Sequence, residues 1–259
     1  MGHRKSTSRT QNYIALLQCL KRNYSKRLWA GIGKLIHRYM IQSLKSFVIN
    51  PEIRYGHKEL PMRDFLYLLF LDLIVTGICL LFLFLIGLDK SAFHKMNPEE
   101  INENLFFFMV MAILLAPPLE EFLFRYYLNY NTKNMWISAI LLFLLFMAVF
   151  ETGDHLGNSI YFLSAMFVIT MLALKLLFGY TSAKILIWGS ILSFALYHIT
   201  NYKTEAFTHE YFIIPFLVLP QLIGGVFLAF IRAHYRFIHC ILFHAAFNAG
   251  VIALSRLME

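Results

Sequence analysis

The chain has 259 residues, of which 59% are hydrophobic, 17% aromatic and only 15% charged, where water-soluble domains carry about 25% charged residues. That balance excludes a soluble globular enzyme and predicts an all-α, polytopic membrane protein. The net charge of +8 is unevenly spread, because residues 1–63 hold 13 of the 23 Lys and Arg against only Glu52 and Glu59.

Taken in chain order, the first element is this basic stretch. Apolar Ile14, Leu17, Leu20, Trp29, Ile32, Ile36, Met40 and Leu44 recur near helical spacing among lysines and arginines, the pattern of a helix lying in the headgroup layer. Residues 1–63 are therefore read as a basic, amphipathic arm and residues 64–259 as the membrane domain. The positive-inside rule keeps such an arm in the cytoplasm beside anionic lipid, and no nucleic-acid partner is expected. No short apolar core with a small-residue cleavage site lies in these residues, so the amino terminus is expected to be retained. Met1-Gly2-His3-Arg4-Lys5-Ser6 fits the loose myristoylation pattern, which has meaning only in a eukaryotic host. Cys19, Cys79 and Cys240 have no metal-ligand spacing and imply no disulfide framework.

Stretches near 20 residues with few charges can cross a hydrocarbon core of about 30 Å, and about seven are expected: Phe65–Leu88, Leu105–Leu128, Met135–Phe150, Ser159–Phe178, Lys184–Thr200, Tyr211–Ile231 and Phe237–Leu254. With the arm inside, Asp89–Asn104 falls outside, Asn129–Asn134 inside, Glu151–Asn158 outside, Gly179–Ala183 inside, Asn201–Glu210 outside, and the basic turn Arg232-Ala233-His234-Tyr235-Arg236 inside.

Three polar constellations interrupt these spans. Ala116-Pro117-Pro118-Leu119-Glu120-Glu121-Phe122-Leu123-Phe124-Arg125 places two carboxylates and a guanidinium where an ionisable group costs several kcal/mol unless paired, roughly 2.5–3.5 on insertion scales. Glu121 and Arg125 share a helix face in the favourable acid-first order, while Glu120 points about 100° away and is left free to act as a base. Pro117 and Pro118 break or start a helix here, and irregular backbone at membrane depth is tolerated beside protein or a wet cavity. In Phe194-Ala195-Leu196-Tyr197-His198-Ile199-Thr200-Asn201-Tyr202, His198 shares a face with Phe194 and lies one turn from Asn201. In His244-Ala245-Ala246-Phe247-Asn248, His244 and Asn248 fall on one face, with small neighbours that permit close helix approach. A structural ion-pair cluster, an interfacial anchor and an interhelical hydrogen bond are the plain alternatives for the three in turn. Counted from the cytoplasmic helix ends at 1.5 Å per residue, their depths differ by less than about 10 Å, which tilt can absorb. Glu151, Asp154 and His155 form a second acidic cluster, read as a solvated outer loop. His155 is the rival of His198, with Phe150 five residues before it instead of four. His209, His234 and His239 are read as interfacial.

In this order the motifs resemble the CPBP (Abi) family of intramembrane proteases, which includes the eukaryotic CAAX prenyl endopeptidases and bacterial bacteriocin-processing or self-immunity proteins. The family pattern is E-E-x-x-x-R, F-x-x-x-H and H-x-x-x-N on separate helices, and this chain has Glu120-Glu121…Arg125, Phe194…His198 and His244…Asn248. Similar flanks are Ala116-Pro117, Phe124-Arg125, His198-Ile199-Thr200-Asn201-Tyr202 and Gly224-Gly225…Phe230-Ile231-Arg232. The resemblance spans roughly residues 105–255. It departs from many members in two spans, Met135–Phe150 and Ser159–Phe178, between the first and second motifs, and in Tyr126, which would narrow the cavity where relatives have glycine.

The resemblance implies an intramembrane endopeptidase in which Glu120 and His198 activate a water for attack on a peptide carbonyl. His244 and Asn248 would stabilise the oxyanion, and Glu121 and Arg125 would support them. It further implies a protein or peptide substrate at the membrane and a bacterial inner-membrane location. No metal is expected, with zinc on Glu120, His198 and His244 as the alternative, since Glu plus two His is a permitted zinc set while HExxH is absent. Two other functions are weighed: a non-catalytic immunity or scaffold protein of the same fold, and an ion-coupled transporter, against which stands the lack of an inverted repeat of broken helices. Substrate identity and oligomeric state are left open.

Overall fold

A computed structural model describes residues 40–52, 58–86, 103–150, 155–179, 182–202 and 214–258. Residues 1–39 of the arm, His209 and the Glu151/Asp154 pair lie outside these, as does the side chain of His155. Contacts divide the chain into two units, Met1–Ser46 and Phe47–Glu259. Within the first, the described residues 40–46 belong to a short apolar helix, α1 (Met40–Ile49).

The second unit is helical throughout its described residues apart from connections, as backbone at membrane depth must be when it satisfies its own hydrogen bonds. Its helices are α2 (Met62–Leu85), α3 (Leu105–Phe124), α4 (Thr132–Phe150), α5 (His155–Phe178), α6 (Ala183–Tyr197, continued by a 3-10 turn His198–Asn201), α7 (Leu219–His234) and α8 (Phe237–Met258). Five stretches are long and apolar enough to cross a membrane: Met62–Leu85, Leu105–Phe124, Ser159–Phe178, Ala183–Asn201 and Phe237–Leu254.

Two of the seven expected spans correspond to shorter apolar helices, Thr132–Ala148 of α4 and α7. For α7 the cause is local. Pro220 opens the helix in its first turn, after a separate one-turn helix Ile214–Leu217, because a proline lacks the N–H that an interior position needs. The helix is then buried at Gly224, Gly225 and every residue from Phe227 to Ala233. A helix apolar and buried all round belongs to the core of a bundle, and α7 packs on α6, α2 and α8. A Cβ at Gly225 would meet Ile191 and Phe194 at 3.4 Å and the Arg125 guanidinium at 3.6 Å, so a bare backbone there lets α6 and α7 close around that arginine.

The lipid-facing helices show the opposite pattern. In α2 the buried residues are Leu68, Asp72, Thr76, Cys79 and Leu83, one stripe at three- and four-residue spacing. Phe70, Ile78 and Phe84 on its other sides are exposed, as apolar side chains facing lipid would be. Asp72 and Thr76 thus lie on the inward stripe.

Candidate active site

The first motif is built by an irregular helix. Val110–Leu115 of α3 is wound as a π-helix, in which the N–H of Ala116 reaches the carbonyl of Met111. Continuing that i to i−5 pattern, position 117 would donate to Ala112, but Pro117 has no N–H. The carbonyl of Ala112 is instead taken by Asn248 Nδ2 from α8, at 2.8 Å. The prolines therefore start the α-helical segment Ala116–Phe124 and also release the acceptor that orients the amide of the third motif.

At its other end the same segment stops at Arg125, whose φ is −128°, and its last carbonyls lose their α-helical donors, Arg125 O keeping the Leu128 N–H of the next turn at 3.0 Å. Side chains from three other helices supply them: Ser138 Oγ of α4 donates to Phe122 O at 2.8 Å, Ser190 Oγ of α6 to Phe124 O at 2.5 Å, and Arg232 of α7 to Arg125 O at 3.2 Å and Tyr126 O at 3.4 Å. Arg232, expected in a basic turn, is 6% exposed. It was missed because charge in a loop-like context reads as topology, whereas here it caps the motif helix. Lys175 of α5, expected beside a cytoplasmic loop, donates to the carbonyl of Tyr130 just beyond.

Glu121 and Arg125 form the expected pair, Oε1 to Nη1 at 3.0 Å, both fully buried. Glu121 holds more than that. Its Oε1 also lies 2.8 Å from His244 Nδ1, and its Oε2 accepts from Cys240 Sγ at 2.8 Å. Cys240, noted in the sequence only for lacking metal-ligand spacing, is thus part of the network, and the i, i+4 relation of Cys240 to His244 was the signal that could have found it. Arg125 lies over the ring of Phe194, 3.7 Å from its centroid.

Glu120 is 8% exposed, and its Oε2 is buried without a hydrogen bond. It stands 3.8 Å from His198 Nε2 and 3.7 Å from His244 Nε2. Both imidazoles are oriented through their other nitrogen. His198 Nδ1 lies 2.8 Å from the carbonyl of Phe194, and His244 Nδ1 faces a carboxylate already paired with an arginine. Both partners accept only, so each Nδ1 carries a proton and each Nε2 is turned toward Glu120. The Phe194 and His198 rings are 4.5 Å apart, the contact that the four-residue spacing suggested.

Glu120, His198 and His244 therefore meet at one point, and His198, His244, Asn201 and Asn248 line one cavity of about 470 Å³ between α2, α3, α6, α7 and α8. Tyr126 is not part of its wall, packing instead on Phe122 and Phe237 at 4.8 and 5.1 Å. The expected narrowing of this cavity by Tyr126 is not seen, since its ring is spent on Phe122 and Phe237. His234 bonds the Phe230 carbonyl, and His239 pairs with Glu59 at 3.0 Å. No protein-family model, curated protein or solved structure matches the chain.

Proposed function

We propose that the protein is an intramembrane endopeptidase of the glutamate-dependent type that its motifs resemble. The observation that carries this reading is the convergence of Glu120, whose Oε2 has no hydrogen bond, with the Nε2 atoms of two histidines that line a cavity together with Asn248. The 3.7 and 3.8 Å separations exceed a hydrogen bond and suit groups joined through one shared oxygen. Glu120, assisted by His198, takes a proton from water while the hydroxide adds to the peptide carbonyl carbon. The C–N bond then breaks, and the departing amine receives that proton. His244, whose Nδ1 is engaged by Glu121, would stabilise the oxyanion through a proton on its Nε2. The second N–H of Asn248, not used by Ala112, is the other donor. Losing one such donor typically lowers turnover about 10²–10³-fold.

The alternative with zinc rests on the same three atoms, since two oriented Nε2 lone pairs and a carboxylate are ligand types zinc accepts. Glu120 stands 3.7 and 3.8 Å from the two Nε2 atoms. Tetrahedral ligands at the usual 2.0–2.1 Å bonds lie about 3.3 Å apart, and no group among the described residues is arranged to hold a metal. No step is therefore drawn through a metal. We propose further that the chain spans a bacterial inner membrane about seven times with its amino terminus in the cytoplasm, α4 and α7 crossing as short helices among longer neighbours. The substrate would be a protein or peptide at the membrane.

The deciding experiment compares the membrane proteomes of cells carrying the wild type or Glu120→Ala. A peptide cleaved only by the wild type is the expected result, and identical peptide profiles would leave the non-catalytic scaffold or immunity reading in its place.

A further inference from the structure

The cavity beside Glu120 has a second polar wall that the chemistry above does not use. Asp72 of α2, 1% exposed, lines it together with Thr76 and with Gln221 and Gly224 of α7. Thr76 Oγ1, one turn along the same helix, lies 3.5 Å from Asp72 Oδ1, the outer limit of a hydrogen bond. Among the described residues no Lys, Arg or His forms an ion pair with Asp72. Gln221 Oε1 on the same wall is buried without a hydrogen-bond partner. A Cβ at Gly224 would stand 4.0 Å from Asp72 Oδ2, so the carboxylate rests against bare backbone one turn from Gln221. An intramembrane carboxylate facing a cavity marks a site whose partner must be found. A carboxylate whose one hydrogen-bond donor among the described residues is Thr76, beside an amide oxygen with none, calls for a partner that brings protons and positive charge.

We propose that Asp72, with Gln221, binds a cationic group of the substrate, an ammonium or guanidinium, and so positions the peptide whose bond lies at Glu120. Phe108, Phe247 and Val251 on the same cavity would cover the apolar stem of such a group, as long basic side chains require. The cation is either a Lys or Arg side chain of the peptide or its terminal ammonium. Its identity as substrate rests on the peptidase reading, whereas the cation site rests on the cavity alone.

The test has two arms. In the first, thermal unfolding of the purified full chain in nanodiscs is followed with n-hexylguanidinium, n-hexylammonium or hexanol as probe. Both cations should raise the Tm and hexanol should not, and Asp72→Asn should weaken cation binding at least about tenfold, as removal of one partner of a buried charge pair does. Equal protection by hexanol, no protection by either cation in the wild type, or undiminished cation protection in Asp72→Asn overturns the proposal. In the second arm, peptides whose cleavage depends on Glu120 are compared between wild type and Asp72→Asn. A Lys or Arg at fixed spacing from the cut, with cleavage lost in Asp72→Asn, identifies a side chain; a fixed distance from a free amino terminus identifies the terminal ammonium. Glu120-dependent cuts with neither regularity overturn the proposal. Cation binding that needs Asp72 in a protein without Glu120-dependent cleavage keeps the cation site and removes the peptidase reading.

Discussion

Glu120 and Glu121 are adjacent on one helix and share no partner except His244, which touches them through different ring nitrogens. Two oxygens of Glu121 accept from Arg125, His244 and Cys240, a load a neutral amide cannot carry, while Glu120 Oε2 has no hydrogen bond. Glu120→Gln should therefore abolish cleavage with Tm near wild type, and retention of more than about a tenth of the activity would exclude a general-base role. Glu121→Gln should lower the Tm as well, since breaking a buried ion pair costs about 3–5 kcal/mol. The same geometry places His198 Nε2 3.8 Å from Glu120. His198→Ala should be inactive and His155→Ala active in one cleavage assay, and the reverse pattern would move the site. For zinc, elemental analysis of the purified protein should find well under one per chain, with activity surviving chelation. Stoichiometric zinc lost and regained with activity would decide for a metal.

At the scale of the element, the motif segment is held at both ends by groups from other helices, and each end can be tested separately. Pro117→Ala restores an N–H that the π-turn directs at Ala112 O, in competition with Asn248 Nδ2. Turnover should fall with little change in Tm, and should fall no further in combination with Asn248→Ala, because the two changes act on one donor. Additive losses would show that Pro117 acts elsewhere. Arg232→Met removes the cap from the Arg125 and Tyr126 carbonyls. Arg125 O keeps the Leu128 N–H at 3.0 Å, so what is lost is hydrogen bonds from a charged donor, about 1.5–3 kcal/mol each, which a lowered Tm should report.

For the whole molecule, the question is which helices cross. If α4 crosses, a single cysteine placed at Asn131 and one placed at Asp154, in chains lacking Cys19, Cys79 and Cys240, should react with an impermeant maleimide from opposite faces, Asn131 from the cytoplasmic side. Labelling of both from one face would leave α4 as a re-entrant or peripheral helix. Deleting residues 1–39 should leave the protein resistant to alkaline carbonate extraction, because five helices are by themselves long and apolar enough to span the bilayer.

Much of the second unit was legible because hydropathy acts locally: a bilayer selects each span by its own length and composition, so most helix positions follow from the sequence to within a few residues. The pairing of Glu121 with Arg125, the closeness of Phe194 to His198 and the shared face of His244 and Asn248 were legible for a similar reason, the fixed rise and turn of one helix. Only the tertiary structure decided what joins the helices. The contact of Glu121 with His244 links residues 123 apart in sequence, and that of Asn248 with Ala112 residues 136 apart. Which face of one helix meets another depends on its rotation and tilt, and side-chain packing across the bundle sets these. Along the sequence Arg232 reads as loop charge and Cys240 only as a cysteine without metal-ligand spacing, while Asp72 stands out in no motif. Their roles arise from neighbours that no periodicity within a single helix contains.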